Sequence, residues 1–119
     1  MFATGVKRAY DNTCAISGLR ILNGGGRAEA QAAHIRPVAE NGPDSVRNGL
    51  ALSATVHWMF DRGLISVADD YTLLLKPAAI PESARRLINP ERRLRLPAQR
   101  RDYPHRRFLQ FHRRHVFKG

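Results

Sequence analysis

The chain has 119 residues, 43% of them hydrophobic, which suffices for one folded domain with a small core and argues against disorder throughout. A single cysteine, Cys14, excludes an internal disulfide and a cysteine-built zinc cluster, and no apolar run nears the length of a membrane span. The net charge of +10 sits in the last third: residues 1–84 hold eight Lys/Arg against eight Asp/Glu, whereas residues 85–119 hold twelve against two. This imbalance implies a polyanionic partner, nucleic acid before any other, and no membrane. The N-terminus lacks the basic-then-apolar layout of a signal peptide, so a soluble, cytoplasmic protein is expected. We read 1–119 as one domain with a basic part at 85–119.

Phe2 to Tyr10 has Phe2, Val6 and Tyr10 on one helical face, and a turn follows at Asp11-Asn12. A short apolar piece, Cys14 to Gly18, precedes a flexible loop at Asn23-Gly24-Gly25-Gly26, whose flanks do not have the strand-then-helix pattern of a phosphate-binding loop. Pro37 disfavours helix just before it, which places His34 on or just after a short strand. Glu40 to Gly49 is dense in turn formers and reads as a loop. Beyond the next helix, Leu64–Val67 and Tyr71–Lys76 form a hairpin around Asp69-Asp70. Pro81 to Ile88 reads as a helix, Arg93 to Pro97 as an edge strand, and Pro104 to Phe117 as a closing helix.

The most informative stretch is Ser53 to Gly63. Ser53 suits a helix N-cap and Gly63 the residue just past the end, with Val56 and Phe60 spaced to pin the helix to a core. His57 and Asp61, four residues apart, share a face, and an imidazole beside a carboxylate can chelate a divalent cation. The plain alternative is a surface His–Asp pair. Trp58, Met59 and Phe60 read as core rather than as a platform for stacking bases.

His34, Asn48 and His57-x-x-x-Asp61, in that order on strand, loop and helix, resemble the HNH endonuclease motif. Tyr10-Asp-Asn-Thr-Cys-Ala-Ile-Ser-Gly18, Ala33-His-Ile-Arg-Pro37, Asn48-Gly-Leu50, His57-Trp-Met-Phe-Asp-Arg-Gly-Leu-Ile65 and Leu109-Gln-Phe-His112 are similar to one subgroup of that family. The resemblance implies an α+β fold: a ββα-metal (His-Me finger) core with a short hairpin and flanking helices. It implies a metal-dependent hydrolase of DNA phosphodiester bonds, bacterial or phage in type, that leaves 5′-phosphate and 3′-hydroxyl ends. His34 would be the general base, His57 and Asp61 would hold one divalent cation, and Asn48 would fix the loop so that His34 faces the water. Mg²⁺ is expected foremost, with Mn²⁺, Ni²⁺ and Zn²⁺ as alternatives.

Two positions depart from the family pattern. Ala33 stands where many members carry a further metal ligand, and Gln31 stands where the subgroup often has Glu, with Glu29 nearby. Arg36, Arg47 and Arg62 flank the site in sequence, and each either meets phosphate or is simply solvated. Arg106, Arg107, Arg113 and Arg114, with the other arginine pairs of the basic part, are expected along a nucleic-acid backbone. His112 and His115 are spaced to share a metal, but no third ligand is evident. A homodimer for double-strand cutting and an upstream target-recognition domain are expected partners, as in a restriction or defence protein. The competing functions are a nucleic-acid-binding module whose catalysis has lapsed and a small basic RNA-binding protein.

Overall fold

Two short strands and the helix that follows them form the centre of the fold. In the computed structural model, which describes residues 1–119, β1 (Gln31–His34) pairs antiparallel with β2 (Gly49–Leu52), Gln31 opposite Leu52 and His34 opposite Gly49. All four residues of β2 are buried, as their unbroken apolar run requires. The first helix, α1 (Phe2–Ala9), lies across both strands and buries Val6. It comes so close at Gly49 that a Cβ there would collide with Val6 Cγ2, so glycine is needed for this packing.

From β2 the chain turns at Ser53 into α2 (Ala54–Asp61), which buries Val56, Met59 and Phe60. The helix ends through Gly63 at φ +79°, a left-handed position that a side chain would strain. Ser53 occupies the cap position but its hydroxyl makes no cap bond; the Ala54 N–H instead donates to Glu29 Oε2 at 2.9 Å. A carboxylate at a helix N-terminus also complements the helix dipole.

A second hairpin, β3 (Ile65–Val67) with β4 (Leu73–Leu75), and two helices, α3 (Glu82–Arg85) and α4 (Arg106–His115), complete the α+β architecture. In α4, Leu109 and His112 are buried, and the helix packs against β3. Cys14, Ile16, Ile35, Ile65, Ile80 and Leu94 join the strands and helices in one core.

Several boundaries differ from the sequence reading. Gly49 opens β2, and the preceding loop contains two short 3-10 turns, Val38–Glu40 and Val46–Asn48. The helix expected over Pro81 to Ile88 has only the four residues of α3, because Ile88 turns into the core and Asn89 Nδ2 donates to Ile16 O and Arg93 O. Arg93 to Pro97 is no strand beyond one bridge, Thr72 with Arg93. Its consecutive amides go to different elements, Leu94 N–H to Tyr71 O and Arg95 N–H to Ala15 O. Trp58, read as core, is 54% exposed, because it falls on the outer face of α2 while its neighbours Met59 and Phe60 face inward.

Candidate active site

The β1–β2–α2 unit places three titratable side chains around one open cavity. His34 at the end of β1 and His57 and Asp61 on α2 line a space of about 360 Å³, with Ala32, Ile35, Pro37, Val38, His112 and Val116 completing the wall. The strand and helix explain the convergence: alternation along β1 puts Ala32 and His34 on one side, and one helical turn separates His57 from Asp61.

His57 is fixed through both ring nitrogens. Nδ1 lies 2.7 Å from Gln31 Oε1, and since an amide oxygen only accepts, Nδ1–H is the donor. The Nε2 atom then turns toward Asp61 Oδ2 at 3.1 Å. With Nδ1 carrying its proton, the Nε2 lone pair and the Asp61 carboxylate oxygen face one gap, where both can serve as ligands to a cation. This donor set, one imidazole nitrogen and one carboxylate oxygen, fits a divalent ion that takes its remaining ligands from water and phosphate. No three His, Cys, Asp or Glu side chains converge to hold an ion by themselves, and the fully buried Ala33 contributes no donor.

His34 is held differently. Its Nε2 lies 2.8 Å from Asp44 Oδ1, so Nε2–H donates to the carboxylate and Nδ1 keeps the free lone pair. The Phe2 ring stacks on the imidazole at 3.9 Å between centroids and 8° between planes. Behind it, Asn48 is fully buried: Oδ1 accepts from Arg36 N–H at 2.9 Å, while Nδ2 donates to Arg36 O at 3.1 Å and Pro43 O at 3.0 Å. These bonds tie the ends of the β1–β2 loop together directly after His34. The sequence reading missed Asp44, Phe2 and the orienting role of Gln31. Asp44 is hidden in a run of turn formers, Phe2 looks like helix packing, and only the place of Gln31 three residues before His34 offered a signal.

His112 lies in the cavity wall but offers nothing to a metal. Ser66 Oγ–H donates to its Nδ1 at 2.7 Å, its Nε2–H donates to Phe60 O at 3.0 Å, and its ring stacks on Phe60 at 3.8 Å. Burial pushes its pKa down to about 4, against smaller upward pulls from the Phe60 carbonyl and Asp61, so it is neutral near pH 7. The alternative the sequence disfavoured, a metal shared by His112 and His115, finds no support: His112 has both nitrogens satisfied inside the fold.

The arginines separate into two groups. Arg113 donates to Asp69 Oδ1 at 2.7 Å and to Val67 O at 2.8 Å, which joins α4 to the second hairpin. Loss of hydration tends to raise the Asp69 pKa, but hydrogen bonds from Arg113 and Gln110 and the charges of Arg113 and Arg106 hold it below the ordinary carboxylate range. Arg47 donates to Tyr103 O, and Arg36 donates to Glu40 O while its guanidinium lies 4.3 Å from the Phe111 ring centroid. Arg106 keeps only a 3.9 Å approach to Asp69, and Arg107 and Arg114 are exposed. Arg62 lies over the Trp58 ring at 4.5 Å.

The family model described as HNH endonuclease (HNH_2) matches residues 14–68, which contain His34, Asn48, His57 and Asp61. Over that segment, a little under half of its length, the chain is similar to the HNH endonuclease family. Among solved structures, a "Modification dependent TagI restriction endonuclease" is similar at 23% identity with a TM-score of 0.74, covering 99% of this chain and 38% of that one. The likeness extends the shared fold over α1, α3 and α4, outside the matched HNH segment. The chain therefore spans well under half of that enzyme. No curated protein matches.

Proposed function

We propose that this HNH protein hydrolyses DNA phosphodiester bonds with one divalent cation, and that β1, β2 and α2 are a ββα-metal core. The observation that carries this reading is the shared cavity, lined by His34 on one side and by the facing donors of His57 and Asp61 on the other.

His34 Nδ1 takes a proton from the attacking water, Asp44 and Phe2 holding the ring in the tautomer and plane that leave this atom free. Asn48 keeps the loop end in place behind it. His57 Nε2 and Asp61 Oδ2 would hold the cation, with Gln31 orienting the imidazole from its far side. Such an ion, when bound, stabilises charge on a phosphate oxygen and on the leaving 3′ oxygen. Attack and departure in this sense leave a 5′-phosphate and a 3′-hydroxyl. Mg²⁺ suits a site that leaves most ligand positions to water, and Mn²⁺, Ni²⁺ or Zn²⁺ suit its imidazole.

Exposed arginines, Arg107 and Arg114 first, hold the DNA through phosphate, which positions the duplex without reading it. Target choice then belongs to a separate recognition module, and one centre cuts one strand, so two copies act together on a duplex. The test is supercoiled plasmid incubated with Mg²⁺, Mn²⁺ or Ni²⁺, and with EDTA. Nicking that needs the ion and disappears in His34→Ala supports the reading; nicking by His34→Ala at the parent's rate overturns it. Retained DNA binding without cleavage under every ion would favour the lapsed module, and a preference for RNA the third reading.

A further inference from the structure

The one tryptophan of the chain stands on the cavity-lining helix α2, open to water. Trp58 follows His57 directly, and on the helical wheel it falls between Asp61 and Arg62. An indole left largely unpacked is costly, since aromatic side chains are the largest apolar surfaces a protein has. Met59 and Phe60, next in sequence, are both buried, so the helix is well anchored in the core and Trp58 takes no part in that anchoring. Arg62, one turn on, lays its guanidinium over the ring at 4.5 Å. The pair forms a flat, cationic, half-open surface at the edge of the cavity wall formed by His57 and Asp61.

We infer that Trp58, with Arg62, is a stacking site for an unpaired nucleobase of the DNA substrate beside the scissile phosphate. The inference rests on the nuclease reading and adds an interaction that phosphate binding does not supply. An aromatic face flanked by an arginine takes any base, because every base has a π-face, and the arginine meets the adjoining phosphate. The protein's charge of +10 favours encounter with a polyanionic strand, and Arg62 supplies the cation at this surface. A base held there prevents the strand from sliding past the His34 side of the cavity.

Because Trp58 is the only tryptophan, its emission reports on stacking directly. The experiment titrates the full chain, in EDTA so that nothing is cut, with a short dye-labelled single-stranded DNA. A second titration uses a strand of equal length made of abasic sugar-phosphate units. Dye anisotropy reads binding and tryptophan emission reads stacking. Expected are strong quenching by the ordinary strand and none by the abasic one, although both bind. Trp58→Ala should weaken binding of the ordinary strand roughly 5- to 100-fold, leave the abasic strand's affinity unchanged, and be largely rescued by Trp58→Phe. Binding without quenching, or equal weakening of both strands in Trp58→Ala, overturns the inference. Failure of the plasmid assay in the presence of quenching would overturn the catalytic reading alone.

Discussion

At the scale of single residues, each member of the cavity has a partner that decides what it can do. Asp44 fixes which nitrogen of His34 is free, so Asp44→Ala should lower kcat by about tenfold or more, within the range that acid–base positioning supplies, with little change in KM. Asp44→Asn keeps an accepting oxygen and should restore part of the rate in single-turnover cleavage. Gln31→Ala removes the bond that orients His57, and calorimetric titration with Mn²⁺ should show affinity lower by roughly 10- to 100-fold, the usual effect of removing such a supporting hydrogen bond. His57→Ala and Asp61→Ala should weaken the ion further still. The sequence made His34, His57 and Asp61 legible because order and spacing survive in one dimension. Asp44 was not legible, since its only signature is a distance of 2.8 Å to a residue ten positions away.

At the scale of elements, short segments are held by a few specific interactions. Gly49→Ala drives a methyl into Val6 where α1 crosses β2, and should cost about 1–3 kcal/mol in urea unfolding, as overpacked cores do. The packing of α4 on α2 runs through His112, which bonds the Phe60 carbonyl near the C-terminal end of α2. Its folded pKa of about 4 lies below the unfolded value near 6.5, so the unfolded chain binds the extra proton first. Stability from this group is complete above pH 6.5 and falls as pH drops toward 4, by on the order of 3 kcal/mol in all. Urea midpoints measured from about pH 7.5 to 4.5 should show that slope, and His112→Gln should flatten it. Helices α1, α2 and α4 were readable from apolar spacing and end signals. The strand expected at Arg93 was not, because its leucine alternation says nothing about whether successive amides find the same neighbour.

At the scale of the whole molecule, the arginines behind the +10 charge divide into exposed ones, such as Arg107 and Arg114, and ones engaged within the fold, such as Arg113. Arg107→Ala and Arg114→Ala should each weaken DNA binding evenly across sequences, and each should reduce the salt slope by about one unit. Arg113→Ala should instead lower the melting temperature while changing that slope little, since its guanidinium is engaged by Asp69 and Val67. Sequence composition counts both kinds alike, and only the tertiary structure divides them.

Two outlying segments bear on the site: Phe2 of α1 lies flat on His34, and Val116, after α4, forms part of the cavity wall. Short segments on the periphery open locally at smaller free energies than cores melt. Warming should therefore abolish the proposed DNA cleavage several degrees before circular dichroism registers any loss of helix. A graft that pins α1 or the tail to the body of the protein should raise the inactivation temperature without moving the melting point by as much.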